Sequence, residues 1–125
     1  MGAQKRTAPR ARGDGFMRVI IESPFAGDVE KNVKYAQKAM LHSIRLGESP
    51  LAFHLLYTQV LDDTKPTQRN KGIRRSFKWH LQADIIAIYS DLGVTPGMRL
   101  AIEFALKHKI KMQKRYILGF SSNRK

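Results

Sequence analysis

The sequence predicts a small α/β domain, a three-layer, Rossmann-like arrangement with a parallel sheet of about four to five strands. Two observations lead to this prediction. Short apolar runs alternate along the chain with longer segments in which apolar residues recur at helical spacing. The 125 residues, 42% of them apolar, are enough for one core and too few for two. We therefore expect one domain at 17–120, between a disordered basic tail at 1–16 and a basic tail at 121–125.

The predicted elements follow one another as strand, helix and strand. The run MRVIIE at 17–22 indicates a buried strand, and Asp28 is positioned to cap a helix that stops near Gly47. The segment SPLAFHLL at 49–56 is typical of a short second strand, and an irregular polar connection follows it. The remaining predicted elements are a helix at 73–82, a strand at 83–91, a helix at 98–108 and a strand near 112–118.

Composition excludes several kinds of chemistry. The absence of cysteine excludes disulfides, a thiol nucleophile and thiolate-bound metal. The four histidines show no spacing typical of a ligand pair, so we predict no metal and no cofactor. Nothing in the sequence resembles a secretion signal or a membrane span, which predicts a cytoplasmic protein without a membrane partner.

The charge of the chain points to an anionic partner. The formal net charge is +13, and residues 65–78 contain six lysines and arginines without one acidic residue. Nucleic acid is the less favoured partner, because the basic run lacks the interleaved aromatic residues of single-strand binders. The other explanation is that half of these basic residues lie on a solvent-exposed face of a helix and bind no partner.

Polar turns follow two of the predicted strands. ESPFAGD at 22–28 ends the first strand, and SDLGVTPG at 90–97 ends the third. The carboxyl ends of parallel strands meet at one edge of a sheet, where ligands bind, and a helix amino terminus preceded by glycine attracts phosphate. The alternative is that these residues only connect a strand to a helix.

Four strings carry a resemblance to a known superfamily. SPFAGD, HLLYTQ, LDD and SDLGVTPGM resemble segments of uncharacterised small bacterial and phage proteins of the nucleoside 2-deoxyribosyltransferase-like superfamily, which includes nucleotide N-glycosidases. The resemblance spans about 17–118 and implies a site for a nucleotide or nucleoside phosphate. The residues implied in that site are Ser23, Phe25, Gly27 and Asp28 near the sugar or base, His54 with Asp62 or Asp63 opposite, and Ser90, Asp91, Gly97 and Met98 near the sugar and phosphate. We expect the backbone N–H groups of the helix near Gly97, together with Arg99 or the basic run at 65–78, to attract the phosphate.

The sequence departs from this superfamily at its nucleophile. The transferases use a glutamate on the third helix, and Ala101 stands at the corresponding position. Glu103 is two residues farther along the helix, turned by about 200°, and should point away. Either the carboxylate has moved to Asp91, Asp28 or Asp63, or Ala101 replaces a natural residue, or the site binds a nucleotide without turnover.

The resemblance also implies an oligomer. Members of the superfamily commonly complete their sites at dimer contacts. A single chain of 125 residues also has few residues with which to enclose a pocket. We therefore predict at least a homodimer that uses the helices around Trp79 and Phe104.

Overall fold

The computed structural model describes residues 15–118, and most of the two predicted tails lies outside them. Four strands form one sheet in the order β2-β1-β3-β4, and all three pairings are parallel. This sheet, with helices packed against it, confirms the predicted α/β fold. The strands are β1 (Arg18–Glu22), β2 (Ser49–Leu51), β3 (Ile85–Tyr89) and β4 (Met112–Arg115).

The helices differ from the prediction in the middle of the chain. Their bounds are α1 (Val29–Arg45), α2 (Phe53–Leu56), α3 (Pro66–His80) and α4 (Pro96–Lys107), and a 3-10 turn, Tyr57–Gln59, follows α2. The strand predicted at 49–56 was too long, because the chain turns into α2 after Leu51. Helix α3 begins seven residues before the predicted position of 73, since Pro66 suits a first helical position and its polar first turns show no apolar stripe.

Alternation along the strands divides the core into two halves. Val19 and Ile21 point to the face covered by α1 and pack with Tyr35 and Ala39. The residue between them, Ile20, points to the opposite face. That second half also contains Phe53, Ile86, Ile88, Met98 and Ala105. The sheet is therefore covered on both faces, as expected for parallel strands.

A buried ionic network on the α1 side joins the two outer strands of the sheet. Arg115, at the end of β4, donates from two guanidinium nitrogens to both carboxylate oxygens of Glu48, each at 2.8 Å. Tyr89 accepts a hydrogen bond from Arg115 at 2.9 Å, and Ser43 of α1 donates to Glu48 at 2.7 Å. Both members of the ion pair are only 6% exposed.

The strand order creates a crevice in the middle of the sheet. The connection from β1 leads to β2 on one side, and the connection from β3 leads to β4 on the other side. The chain therefore leaves the carboxyl ends of β1 and β3 in opposite directions, which is the arrangement where ligands bind in open α/β sheets. None of the helices in residues 15–118 has the length and apolar character needed to cross a membrane.

Candidate functional site

A cleft opens beyond the carboxyl ends of the central strands. Its walls are the turn after β1, the segment from α2 through α3, and the first turns of α4. Four aromatic residues line it: Phe25, Phe53, Tyr57 and Phe77. Four lining residues carry a carboxyl, imidazole or guanidinium group: Glu22, His54, Asp63 and Arg69. The cleft thus combines apolar, ring-lined walls with a few convergent polar groups, as small-molecule sites do.

The turn after β1 is held in a fixed shape. Gly27 has a φ of 102°, a conformation that favours glycine, and Asp28 caps α1 by accepting from the Lys31 amide at 3.2 Å. Asn32 of α1 donates from its side-chain nitrogen to the carbonyl oxygens of Phe25 and Ala26, both at 3.0 Å. These contacts fix the segment that forms one wall of the cleft.

Glu22, the last residue of β1, brings a carboxylate into the cleft. Its Oε2 lies 2.7 Å from Nε2 of His80, a side chain at the end of α3 that is completely buried. The other ring nitrogen of His80, Nδ1, lies 2.8 Å from the carbonyl oxygen of Ser76. Residues 15–118 supply no hydrogen-bond partner for Oε1 of Glu22, so this oxygen is available to a ligand in the cleft.

Ser23 and His54 form a second polar pair. The Ser23 hydroxyl oxygen lies 2.7 Å from Nε2 of His54. Burial lowers the pKa of the His54 imidazole, and the nearby carboxylates of Glu22 and Asp63 only partly counteract this. The neutral imidazole is therefore favoured at pH 7, so this pair can offer both a hydrogen-bond donor and an acceptor to a sugar hydroxyl.

Asp63 and Arg69 lie on the side of the cleft formed by the start of α3. Burial raises the pKa of the Asp63 carboxyl, and the guanidinium of Arg69 acts in the opposite direction. That guanidinium also approaches the amino end of α4, where a Cβ added to Gly97 would lie 3.6 Å from it. Thr95 caps α4 by accepting from the Met98 amide at 3.2 Å. A cation beside a positive helix terminus attracts an anion to this part of the cleft.

The structure brings some of the predicted site residues into the cleft and leaves others outside it. The lining residues that the sequence predicted are Ser23, Phe25, His54, Asp63, Gly97, Met98 and Ala101. Those outside it are Gly27, Asp28, Asp62, Ser90, Asp91 and Arg99. Asp62 is exposed and binds Thr64, whereas Asp63 beside it faces the cleft. Glu103 is exposed, in agreement with its predicted orientation away from the site.

Asp91 anchors the chain on the opposite side of the sheet. Its Oδ1 accepts from the Tyr35 hydroxyl at 2.6 Å and from the Ile117 amide at 2.8 Å, and its Oδ2 accepts from the Leu118 amide at 3.1 Å. Burial, together with this carboxylate, raises the pKa of the Tyr35 hydroxyl, which keeps it a donor. Asp91 and Asp28 therefore do not converge on the cleft.

Two functional candidates, Glu22 and His80, were not predicted from the sequence, and Arg69 was included only as one member of the basic run at 65–78. Alternation could have identified Glu22, since it has the same parity as Ile20 and so points toward α3 and α4. Arg69 and His80 depend on the position of α3, which the sequence did not give. In the part of the chain that the structure describes, no three histidine or carboxylate side chains are grouped to bind a metal ion.

The basic residues of α3 form a surface separate from the cleft. Gly72, Ser76 and Phe77 line the cleft from one side of the helix. The exposed basic residues on the other side are Lys71, Arg74, Arg75 and Lys78. The charge of α3 therefore lies mostly on a solvated face, and Arg69 is the basic residue of this helix that reaches the cleft.

Comparisons with known proteins give a family and a structural likeness. A family model described as a domain of unknown function (DUF7768) matches residues 17–115. The structure is similar to that of the Clostridium botulinum CMP N-glycosidase BcmB, with a TM-score of 0.48 and 17% sequence identity over 82% of this chain and 71% of that chain. No curated protein matches the chain.

Proposed function

The chain belongs to the DUF7768 family, and because that description assigns no activity, we propose a function from the cleft itself. The cleft binds a nucleotide or nucleoside phosphate and hydrolyses the N-glycosidic bond between its base and sugar. The observation that carries the proposal is that two carboxylates in different environments, Glu22 and Asp63, line one aromatic cleft. The resemblance of the sequence to a superfamily that includes nucleotide N-glycosidases agrees with it.

The walls of the cleft suit the three parts of a nucleotide. The rings of Phe25, Tyr57 and Phe77 offer faces on which a base can stack. Arg69 and the amino end of α4 attract the phosphate, so a nucleoside phosphate should bind more tightly than the nucleoside. The sugar then lies between these two regions, near Glu22.

Glycosidic cleavage requires one carboxylate at the sugar and one proton donor at the leaving group. In the proposed reaction the bond between C1′ and the base nitrogen breaks, and its electron pair leaves with the base. Glu22 stabilises the positive charge that develops on the sugar, through its free oxygen. Asp63, with its raised pKa, protonates the leaving base. Water adds to C1′ and returns one proton to Asp63, so the products are the free base and the sugar phosphate.

A nucleotide-binding protein without turnover is the second candidate. Ala101 favours it, because a methyl group lines the cleft at the position where the resemblance implies a nucleophile. The experiment that separates the two candidates is incubation of the protein with ribo- and deoxyribonucleoside monophosphates. Mass spectrometry then detects both the bound nucleotide and the released base. Tight binding without base release would contradict the hydrolase and support the binding protein.

Glu22→Gln tests the role of the carboxylate. We expect kcat for base release to fall about 100- to 1,000-fold, because the amide cannot stabilise the developing positive charge in the same way. The Kd for the nucleotide should change little. Glu103→Gln removes the same charge from an exposed position on α4 and serves as the control. Equal activity of Glu22→Gln and the unchanged protein would contradict the assignment.

The pH dependence of base release tests Asp63. Because the acid form donates the proton, kcat should fall as pH rises through the raised pKa of this carboxyl. Asp63→Asn should remove this fall together with most of the activity, measured as kcat against pH. Glu103→Gln removes an exposed carboxylate on α4 that does not contribute to the pKa of Asp63, and it should leave the profile unchanged. A profile that does not depend on Asp63 would exclude it as the acid.

A further inference from the structure

The His80 side chain lies between two hydrogen-bond acceptors and is not exposed to solvent. Its side chain is 0% exposed, and its two ring nitrogens lie 2.8 Å from the Ser76 carbonyl oxygen and 2.7 Å from Glu22 Oε2. A backbone carbonyl can only accept, so Nδ1 of His80 must carry a proton. The contact between Nε2 and Oε2 needs a second proton. It resides either on the imidazole, which is then an imidazolium, or on Glu22, which is then a neutral acid.

The surroundings of His80 favour the imidazolium. His80 is the last residue of α3, where the negative end of the helix dipole stabilises a cation. The rings of Phe53, Phe77 and Phe104 lie around the imidazole, with centroids 6.5, 5.3 and 6.3 Å away. Aromatic rings exclude water while offering electron-rich faces to a cation.

Within residues 15–118, few other titratable groups lie near His80 and Glu22. The titratable groups nearby are His54 in α2, Asp63 before α3 and His108 after α4. The ring of His108 lies 4.2 Å from the ring of Phe104. His54 interacts electrostatically with both Glu22 and Asp63. The carboxylate of Glu22 is therefore the one that His80 contacts directly.

We infer that His80 is a positioning residue held as an imidazolium, which donates a hydrogen bond to Glu22 and thereby keeps this carboxylate ionised with Oε1 directed into the cleft. The inference extends the proposed function, because an ionised carboxylate of fixed orientation is what a positively charged sugar requires. It also gives the buried imidazole a role that packing alone would not need, since an apolar ring would fill the same space.

Two-bond ¹H–¹⁵N correlation spectra of the histidine side chains show which nitrogens of His80 carry a proton. They are recorded at pH 7.5 without nucleotide. The His80 signals are assigned by their loss in His80→Gln. At this pH a histidine in a peptide, with a pKa of about 6.5, is only about one-tenth protonated. We expect both nitrogens of His80 to carry protons. In Glu22→Gln we expect a neutral ring protonated at Nδ1, because the amide of Gln donates to Nε2.

A neutral His80 in the unchanged protein would put the proton on Glu22 and overturn the inference. Spectra of Glu22→Gln identical to those of the unchanged protein would overturn it as well. Because these spectra are read without substrate, a failure of base release, which would overturn the proposed function, does not affect them.

Kinetics test the consequence for the cleft. His80→Phe removes the donor but fills the space, and kcat for base release should fall roughly 10- to 100-fold with little change in KM. His80→Gln keeps an N–H donor and should recover a large part of that loss. His108→Gln, at an exposed histidine, is the control. Folding of each variant is verified by its melting temperature. Full kcat in a folded His80→Phe protein would overturn the positioning role.

Discussion

At the scale of single residues, Asp91 and Glu22 show how parity along a strand decides the role of a carboxylate. Glu22 ends the central strand β1 and Asp91 follows the central strand β3, and of the two only Asp91 was predicted from the sequence as a site residue. Asp91 has the parity of Ala87 and Tyr89, which face α1, whereas Glu22 has the parity of Ile20, which faces the other side. Asp91, on the α1 side, binds the backbone amide of Ile117, and Glu22, on the α3 side, lines the cleft.

Asp91→Asn should therefore reduce stability more than it reduces function. An amide nitrogen in place of one oxygen would face the backbone amide of Ile117 or Leu118 and leave a donor without an acceptor. We expect the free energy of unfolding to fall by about 1–3 kcal/mol, measured by urea denaturation. The Kd for a nucleotide should be retained. Asp62→Asn, at an exposed carboxylate, is the control, and unchanged stability with loss of base release would contradict the anchoring role.

At the scale of elements, the order of strands and helices was predictable and the path between β2 and α3 was not. Apolar runs at β1 and β3 are buried on both faces, so they are visible in the sequence as continuous apolar strings. Helix α3 has a polar first half, and its two buried residues, Ser76 and His80, are polar as well, so its amphipathic pattern is short. Six of the residues that line the cleft belong to this helix. For that reason His80 could not be assigned before the structure, and Arg69 could not be distinguished from the other basic residues of the run at 65–78.

The outer strands are linked by the ion pair of Glu48 and Arg115, and removal of one partner alone should destabilise the protein. Arg115→Met removes the cation that contacts both oxygens of the buried Glu48 carboxylate, and we expect the free energy of unfolding to fall by about 3–5 kcal/mol. The double variant Glu48→Met/Arg115→Met should lose less than the sum of the two single losses, because no charge is then left unpaired. Denaturant titration of all four proteins measures this coupling. Additive losses would show that the pair acts as two independent side chains.

At the scale of the whole molecule, several large apolar side chains are exposed in the segments that follow β2. Four residues of α2, the turn after it and the end of α3 are 45–79% exposed: Leu56, Val60, Trp79 and Leu81. Phe104, the other residue expected at a subunit contact, instead stacks on Phe77 inside the described chain, with ring centroids 4.4 Å apart. The homodimer predicted from the sequence therefore has one candidate contact that begins at Trp79.

Light scattering should report about twice the chain mass of 14.3 kDa at micromolar concentration. Trp79→Glu should reduce this to one chain mass, because a charge at the centre of an apolar contact remains desolvated without a partner. Leu106→Glu adds the same charge at a residue of α4 that is 64% exposed and should leave the dimer intact. A single chain mass for the unchanged protein would contradict the dimer.

The position of β1 in the centre of the sheet also affects how the chain folds during its synthesis. Val19 pairs with Pro50 of β2, but its other partner, Ile85, is 66 residues away from it in sequence. At ribosomal rates of about 5–20 residues per second, roughly 3–13 s pass between the synthesis of β1 and the synthesis of β3. During that interval Val19, Ile20 and Ile21 have an unpaired edge that α1 cannot cover by itself. The nascent chain should therefore bind general chaperones before β3 is synthesised and release them after it, and the cleft forms only as α4 emerges.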